Sequence, residues 1–424
     1  MKHMADTLRC GLVGHRLGHS FSPIIHRELA DYSYDLFELE NEELEAFFKG
    51  NGFDGVNVTI PYKKAAMEFC HSLTDIARRI GCVNTVRRLP DGSLLGHNTD
   101  YDGFLWMLRS TGYSPAGKKA LVLGTGGASL TVNTVLHDMG ASEVINISRG
   151  GADNYENMYR HSDAALLVNA TPVGMYPNNG DCLVELHRLP GLECVLDVVY
   201  NPARTELLLQ SERLNIKCEN GLGMLVAQAV ASSQLFLGRD YDTDEIDRET
   251  QRILSKLRFD TMNILLVGMP GSGKSSVGRA VAALSGREFF DADEELVKAA
   301  GISIPEIFAK EGEEGFRRRE TLILRELSRK SSAVIAAGGG AVTRAENLPL
   351  LRQNSNVLWL QRELSELATE GRPLSAGGRL EAMYEKRAPL YEKASVCCVV
   401  NDGSVEQAAR AVITAVGNAC GLDT

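Results

Sequence analysis

Two glycine-rich turns, each placed between an apolar run and a helical stretch, carry the clearest chemistry in this sequence. The first to argue from is Gly268-Met269-Pro270-Gly271-Ser272-Gly273-Lys274-Ser275, which follows the apolar residues 264–267 and precedes a helical stretch over 276–284. Glycines at this spacing let backbone N–H groups turn inward around phosphates, and the helix N-terminus adds partial positive charge. In that strand–loop–helix context the pattern is a phosphate loop for a nucleoside triphosphate. Gly271, Ser272, Gly273 and Ser276 form the cradle, Lys274 reaches the terminal phosphates, and Ser275 ligates Mg²⁺. The second turn, Gly124-Thr125-Gly126-Gly127-Ala128-Ser129, is a variant dinucleotide loop after the apolar run 120–123, although an ordinary strand-to-helix turn could share its glycines. About twenty residues on, where an NAD enzyme would place a carboxylate for the ribose, the run 144–147 ends in Ser148-Arg149. An arginine there suits a 2′-phosphate and favours NADP; the alternative is a plain surface arginine. No basic residue follows it closely, and Asp153 does.

These turns need strands and helices to hold them. Short apolar runs alternate with amphipathic stretches along the whole chain, which predicts α/β architecture with mostly parallel sheets. With 424 residues, two to three domains are expected. The spacing predicts a first block over 1–105, a nucleotide block over 106–220, two helices over 221–257, and a further domain over 262–424 after a join of a few residues at 258–262. Hydrophobic residues make up 44 % and charged residues 24 %, an ordinary globular balance. The formal net charge of -10 argues against a nucleic-acid partner. The nine cysteines show no Cys-x-x-Cys pair, so reduced thiols in a cytoplasmic protein are expected, with Cys397-Cys398 at buried strand positions. The first twelve residues lack the apolar run of a signal peptide, and no stretch approaches the ~18 apolar residues of a membrane span.

The segments beyond the phosphate loop narrow the reading. Phe290-Asp291-Ala292-Asp293, Glu311-Gly312-Glu313, Phe316-Arg317-Arg318-Arg319-Glu320, Gly338-Gly339-Gly340, Gly371-Arg372-Pro373-Leu374 and Arg387-Ala388-Pro389-Leu390-Tyr391 follow in order. Over 262–418 this run closely resembles shikimate kinase. The resemblance implies that Asp291 helps hold Mg²⁺, and that Asp293 binds shikimate hydroxyls and orients or deprotonates the attacking one. It implies that Arg317 and Arg387 clamp the carboxylate beside Gly339 and Gly340. Arg372 would ride a lid over 370–379 and neutralise charge on the transferring phosphoryl. Arg318 and Arg319 are expected to point elsewhere, as a solvated face.

The first half carries its own constellation: His19-Ser20-Phe21-Ser22-Pro23, Asn57-Val58-Thr59-Ile60-Pro61-Tyr62-Lys63, Gly81-Cys82-Val83-Asn84-Thr85, Asn98-Thr99-Asp100, Asn169-Ala170-Thr171-Pro172-Val173-Gly174-Met175, Asp197-Val198-Val199-Tyr200, and 220–228 ending in Gln228. As a set it resembles shikimate dehydrogenase from residue 8 to about 255. By that resemblance Ser20, Ser22, Thr59, Asn84, Asp100, Tyr200 and Gln228 hold the polyhydroxy acid, with the serines on its carboxylate. Lys63 and Asp100 form the catalytic pair. Gly124, Thr125, Gly126, Gly127, Ala128, Ser148, Arg149, Thr171, Gly174, Met175 and Gly221 contact NADP(H).

The expected fold class is therefore α/β: a two-lobed dehydrogenase with a Rossmann-type nucleotide domain, then a P-loop parallel-sheet kinase domain. The expected ligands are 3-dehydroshikimate, shikimate, NADP(H), and ATP with Mg²⁺. Neither nucleic acid nor membrane is an expected partner, and the assembly is expected to be a monomer or homodimer. Three rivals stay open: an NAD-linked quinate or shikimate dehydrogenase, a non-catalytic metabolite sensor, and a chain with only one active half.

Overall fold

The computed structural model describes residues 8–18, 20–239, 242–367 and 379–422. Contacts divide the chain into two units, the first comprising 1–173, 182–200 and 210–254 and the second 174–181, 201–209 and 255–424.

The first unit holds two sheets. β1 (Arg9–Gly14), β2 (Ser33–Glu38), β3 (Gly55–Val58), β4 (Ser72–Leu73), β5 (Thr85–Arg88) and β6 (Leu94–His97) pair in the order β2-β1-β3-β5-β6-β4 among the described residues. This sheet is mixed within the mostly parallel architecture expected: β5 runs antiparallel to both β3 and β6. The cause is local. The β5–β6 connection turns through Gly92 at φ +83°, and the Asp91 carboxylate accepts from the Ser93 N–H (2.9 Å) and hydroxyl (2.6 Å). So short a connection leaves no room for the crossover that a parallel pair requires.

β7 (Lys119–Leu123), β8 (Glu143–Ile147), β9 (Leu166–Asn169), β10 (Cys194–Asp197) and β11 (Lys217–Asn220) form an all-parallel sheet in the order β11-β10-β9-β7-β8. β9 and β10 are buried throughout, as a parallel sheet covered on both faces requires. The order reverses beside β7, so the crevice at its C-terminal end is a topological switch point, where α/β sheets bind ligands. Helix Gly127–Asp138 starts there.

Helix Leu222–Leu237 is buried almost all round and packs on helix Asp100–Ser110 and helix Ser22–Leu29. Two glycines permit the approach. A Cβ on Gly103 would lie 2.5 Å from the Met224 carbonyl oxygen, and one on Gly223 would lie 2.4 Å from the Trp106 ring. This packing brings Gln228 back to the first lobe. The following helix, Thr243–Thr261, runs unbroken through the division at 254/255, and the next strand starts at Asn263, so no loop occupies 258–261.

In the second unit β12 (Asn263–Val267), β13 (Glu288–Asp291), β14 (Ala333–Ala336), β15 (Ser355–Gln361) and β16 (Cys397–Val400) are parallel in the order β13-β14-β12-β15-β16. β12 is buried at every residue, and its first side chain, Asn263, satisfies itself on the Lys330 carbonyl (2.7 Å) and the Ala333 N–H (2.9 Å). Cys397 and Cys398 do lie in a strand, but β16 is the sheet edge and Cys398 is exposed, against the expected burial. Among the described residues no helix is long and apolar enough to cross a membrane.

Candidate active sites

In the first unit the Lys63 ammonium donates to Asp100 Oδ2 at 2.5 Å, with both side chains largely withdrawn from solvent. Asp100 opens helix Asp100–Ser110, and its N–H is held by Asn98 Oδ1 (3.1 Å). Asn98 is itself pinned by the Cys82 carbonyl (3.0 Å). Asn84 is buried. Its Oδ1 accepts from the Thr99 N–H (2.7 Å) and the Thr85 hydroxyl (3.0 Å), and its amide faces Gln228 Oε1 at 3.5 Å. The structure thus joins Asn84, Asp100, Lys63 and Gln228, from two helices and two connecting segments, into one polar cluster. Ser20 donates to Ser22 at 3.1 Å, Thr59 sits against Gly14 at the end of β1, and Tyr200 lies 5.4 Å from the Phe21 ring, centroid to centroid.

Behind the serines lies His26, fully buried, with Nδ1 2.7 Å from the Tyr32 hydroxyl. Burial pushes its pKa down to about 3. An unfolded histidine titrates near 6.5, so between those values the unfolded chain holds a proton that the folded chain refuses. The contribution of His26 to stability is full above pH ~6.5 and is lost as pH falls toward 3. The midpoint of thermal inactivation of the dehydrogenase activity is expected to drop between pH 7 and 5, and His26→Gln to flatten that slope. Parallel profiles for the two chains would remove the assignment.

The loop residues Gly124 to Ala128 lie at the switch point. Gly124 has φ +102°, and a Cβ there would meet the Thr171 methyl at 2.9 Å, so the loop needs glycine. A Cβ at Gly126 would meet nothing within 4 Å, leaving open space before the helix N-terminus, while one at Gly127 would lie 3.8 Å from Lys63 Cδ. The dinucleotide loop therefore abuts Lys63. Thr171 is fixed by Asn169 Oδ1 (2.7 Å), and Gly221 leaves no space for a side chain beside the Val198 carbonyl. Ser148 and exposed Arg149 lie just past β8. Nearby Asp153 is occupied by Arg160 and His161, each at 2.6 Å, which removes its repulsion of a 2′-phosphate. These residues fit NADP(H). Gly174 and Met175 fall in the second unit, where Gly174 has φ +88° and lies against Asp181 and Thr205.

In the second unit the phosphate loop turns through positive φ at Gly268, Gly271 and Gly273. Asn401 braces it, donating to the Ser272 carbonyl at 2.8 Å. Lys274 is folded onto the carbonyls of Gly268 (3.0 Å) and Met269 (2.9 Å), and the buried Ser272 hydroxyl has no partner among the described residues. Gly273 closes the loop, and Ser276 is exposed in the first turn of the helix Lys274–Ser285. The Ser275 hydroxyl donates to Asp291 Oδ2 at 2.5 Å, while Asp291 Oδ1 caps the next helix through the N–H of Asp293. One hydroxyl and one carboxylate fit Mg²⁺, which keeps much of its water and takes its other ligands from phosphates.

Around the Gly338–Gly340 turn Asp293, Arg317, Glu320 and Arg387 converge. Arg317 is buried and donates to Glu320 Oε2 at 2.8 Å, and Glu320 is 2 % exposed. Burial pushes the Glu320 carboxyl pKa up against the downward pull of Arg317. A Cβ on Gly340 would overlap the Arg317 guanidinium at 2.3 Å, and one on Gly338 would lie 3.1 Å from Asp293 Oδ1. Arg387 (3.1 Å) and the Tyr391 hydroxyl (2.5 Å) both donate to the Gly339 carbonyl. Arg318 is exposed and Arg319 lies at the surface, in keeping with the solvated face expected of both. Arg319 pairs there with Glu311 (2.7 and 3.0 Å) across a helix break at Gly312, φ +69°. Arg372 and His19 lie outside the described residues, as does 370–378 of the expected lid.

Sequence reasoning passed over Tyr34, Asn57, Thr85, Thr99, Glu320, Tyr391 and Asn401 as site residues. Glu320 had a signal, since a glutamate three residues after Arg317 shares its helix face. Asn401 had none.

This geometry defines a class: a dinucleotide-dependent oxidoreductase and a P-loop phosphoryl transferase within one polypeptide. The shikimate dehydrogenase substrate binding domain family matches residues 12–86, and the shikimate kinase family matches 270–417. A shikimate dehydrogenase (NADP(+)) of Methanopyrus kandleri is 38 % identical over 286 residues, covering 60 % of this chain and 97 % of that protein. The structure of shikimate dehydrogenase 1 from Peptoclostridium difficile is 34 % identical with a TM-score of 0.53, over 57 % of this chain and 97 % of its own. That of the Thermus thermophilus shikimate 5-dehydrogenase in complex with NADP(H) and shikimate is 31 % identical with a TM-score of 0.52, over 58 % and 100 %. The chain belongs to the shikimate dehydrogenase family and, with a shikimate kinase domain joined behind, is a bifunctional enzyme of the shikimate pathway.

Proposed function

We propose that the first half reduces 3-dehydroshikimate to shikimate and that the second phosphorylates the 3-hydroxyl so formed. The observation that carries the first reaction is the Lys63–Asp100 pair at 2.5 Å beside the Gly127 turn. NADPH, when bound, supplies the hydride for C3. As the ketone oxygen gains negative charge, Lys63 donates a proton to it and is reprotonated from solvent. Asp100 holds the ammonium and a substrate hydroxyl. Ser20 and Ser22 donate to the carboxylate, while Thr59, Asn84, Tyr200 and Gln228 hold the ring hydroxyls. Thr171 and Gly221 contact NADP(H), and Ser148 and Arg149 receive the 2′-phosphate.

In the kinase, Asp293 orients the attacking hydroxyl while Arg317 and Arg387 clamp the carboxylate, a planar group that guanidinium binds with two parallel hydrogen bonds. Lys274 and the helix N-terminus hold the phosphates of ATP. Ser275 and Asp291 hold Mg²⁺, which neutralises phosphate charge. Arg372, which lies outside the described residues, is the proposed source of a further positive charge for the transferring phosphoryl. The working segments are 1–105 for the acid, 106–220 for NADP(H), 221–257 returning to the first lobe, and 262–424 for phosphoryl transfer. The enzyme acts in the cytoplasm as a monomer or homodimer.

A coupled assay tests the whole. Purified chain given 3-dehydroshikimate, NADPH, ATP and Mg²⁺ is expected to form shikimate 3-phosphate, with one NADPH oxidised per ATP consumed. Shikimate accumulating without phosphate would remove the kinase half, and no NADPH oxidation would remove the other.

A further inference from the structure

We propose that Tyr391 is a positioning residue of the kinase half: its phenol holds the peptide between Gly339 and Gly340 in the orientation that offers the Gly340 N–H to the shikimate carboxylate. The inference rests on the reading of Arg317 and Arg387 as the clamp on that carboxylate. Arg387 and Tyr391 stand four residues apart on helix Arg379–Ala394, so they share a face one turn apart. Both reach the same acceptor. The Tyr391 hydroxyl donates to the Gly339 carbonyl at 2.5 Å, and Arg387 Nη1 donates to it at 3.1 Å. A carbonyl oxygen has two lone pairs, and these two donors occupy both. The phenol has a single proton. The carbonyl at 2.5 Å takes it in preference to the weak Met269 sulfur at 4.0 Å. The guanidinium commits one donor to Gly339 and keeps others for an incoming acid.

That carbonyl needs an anchor. The peptide it belongs to joins two glycines, whose backbones rotate most freely. Neither can be replaced by a stiffer residue. A Cβ on Gly339 would lie 2.8 Å from two ring carbons of Pro270 in the phosphate loop, and one on Gly340 would lie 2.3 Å from the Arg317 guanidinium. The peptide is trans, so its N–H points opposite to its carbonyl. With the oxygen turned onto helix Arg379–Ala394, the Gly340 N–H faces away from that helix. Gly340 is buried beside Arg317, and its N–H donates to no protein acceptor among the described residues. A buried N–H left unpaired is rare in a folded chain, and a carboxylate seated on Arg317 supplies the acceptor. A half-turn of the same peptide would put the carbonyl oxygen in that place, where it repels a carboxylate. The anchor itself is firm. Tyr391 is fully buried, with its ring 5.8 Å from that of Trp359, centroid to centroid. Burial pushes the phenol up to about 12, so it keeps its proton for Gly339 throughout the working range.

Tyr391→Phe tests this, because it keeps the ring under Trp359 and deletes only the hydroxyl. The readout is ATP consumption without nicotinamide, with two acceptors: shikimate, and the alcohol that carries CH₂OH in place of its carboxylate. For shikimate the substitution is expected to raise KM about 5- to 10-fold, the effect of one hydrogen bond. kcat and the KM for ATP should stay within about twofold, since the carboxylate is held alike before and during transfer and the nucleotide is untouched. The alcohol behaves differently. A hydroxyl accepts from an N–H or donates to a carbonyl, so it tolerates either orientation of the peptide. Its kcat/KM is expected to fall by less than about twofold. A merely structural role for Tyr391 would lower both acceptors alike. Equal losses for acid and alcohol, an unmoved shikimate KM, or a loss confined to kcat would therefore overturn the proposal alone. An unsubstituted chain that fails to phosphorylate shikimate would overturn the functional reading and the proposal with it.

Discussion

Lys63→Ala is expected to lower kcat for shikimate oxidation by about 10³-fold while kinase turnover by the same preparation stays unchanged. Two losses combine. A positioned proton donor contributes about 10²- to 10⁴-fold, and alanine leaves only water to fill that role. The ammonium also stabilises the charge that develops on the oxygen, and that effect is larger in a site withdrawn from bulk solvent. The substitution further leaves Asp100, 8 % exposed, without its 2.5 Å partner. Some loss of stability of the first unit is therefore expected, and the comparison should be made at a temperature where the variant remains folded. Lys63→Arg should not rescue, because the guanidinium holds its proton too strongly to release it. The measurement is NADPH formation from shikimate and NADP⁺. Retention of more than about a tenth of wild-type kcat would sink the assignment of Lys63 as proton donor.

Lys274→Met is expected to produce the mirror image: kinase kcat lower by about 10²- to 10³-fold, with dehydrogenase rates intact. The lysine is now folded onto two loop carbonyls, within reach of where phosphate oxygens would lie in the cradle. Phosphoryl transfer asks the protein mainly for position and charge neutralisation, so a missing cation appears directly in the barrier. Methionine keeps the aliphatic stem that occupies the loop and removes only the charge. ATP consumption with saturating shikimate is the readout, and a change confined to KM for ATP would show that Lys274 binds the nucleotide without aiding transfer. Together the two variants separate the halves, and a chain losing both activities from either substitution would contradict two independent sites.

The P-loop and the dinucleotide turn were legible because their function lies in consecutive residues. Glycine spacing, a helix N-terminus and one lysine act within a few residues, so no long-range folding is needed to recognise them. The buried runs of β9, β10 and β12 were equally plain, since a strand covered on both faces must be apolar along its length. The antiparallel β5 was missed because strand direction depends on the length of a turn, and apolar patterning carries no direction.

By itself the sequence determined which groups exist to do chemistry and which short turns present them: Lys274 in its loop, Gly124 to Ala128 before their helix, and the identities of Lys63, Asp100 and Arg317. Tertiary structure alone decided what stands behind them. Tyr34 meets Asn57 across 23 residues, Asn401 braces Ser272 across 129, and Gln228 returns to Asn84 across 144. Such partners share no local pattern. Their meeting depends on sheet order and on two facing glycines that let helices close, which are properties of packing over the whole unit.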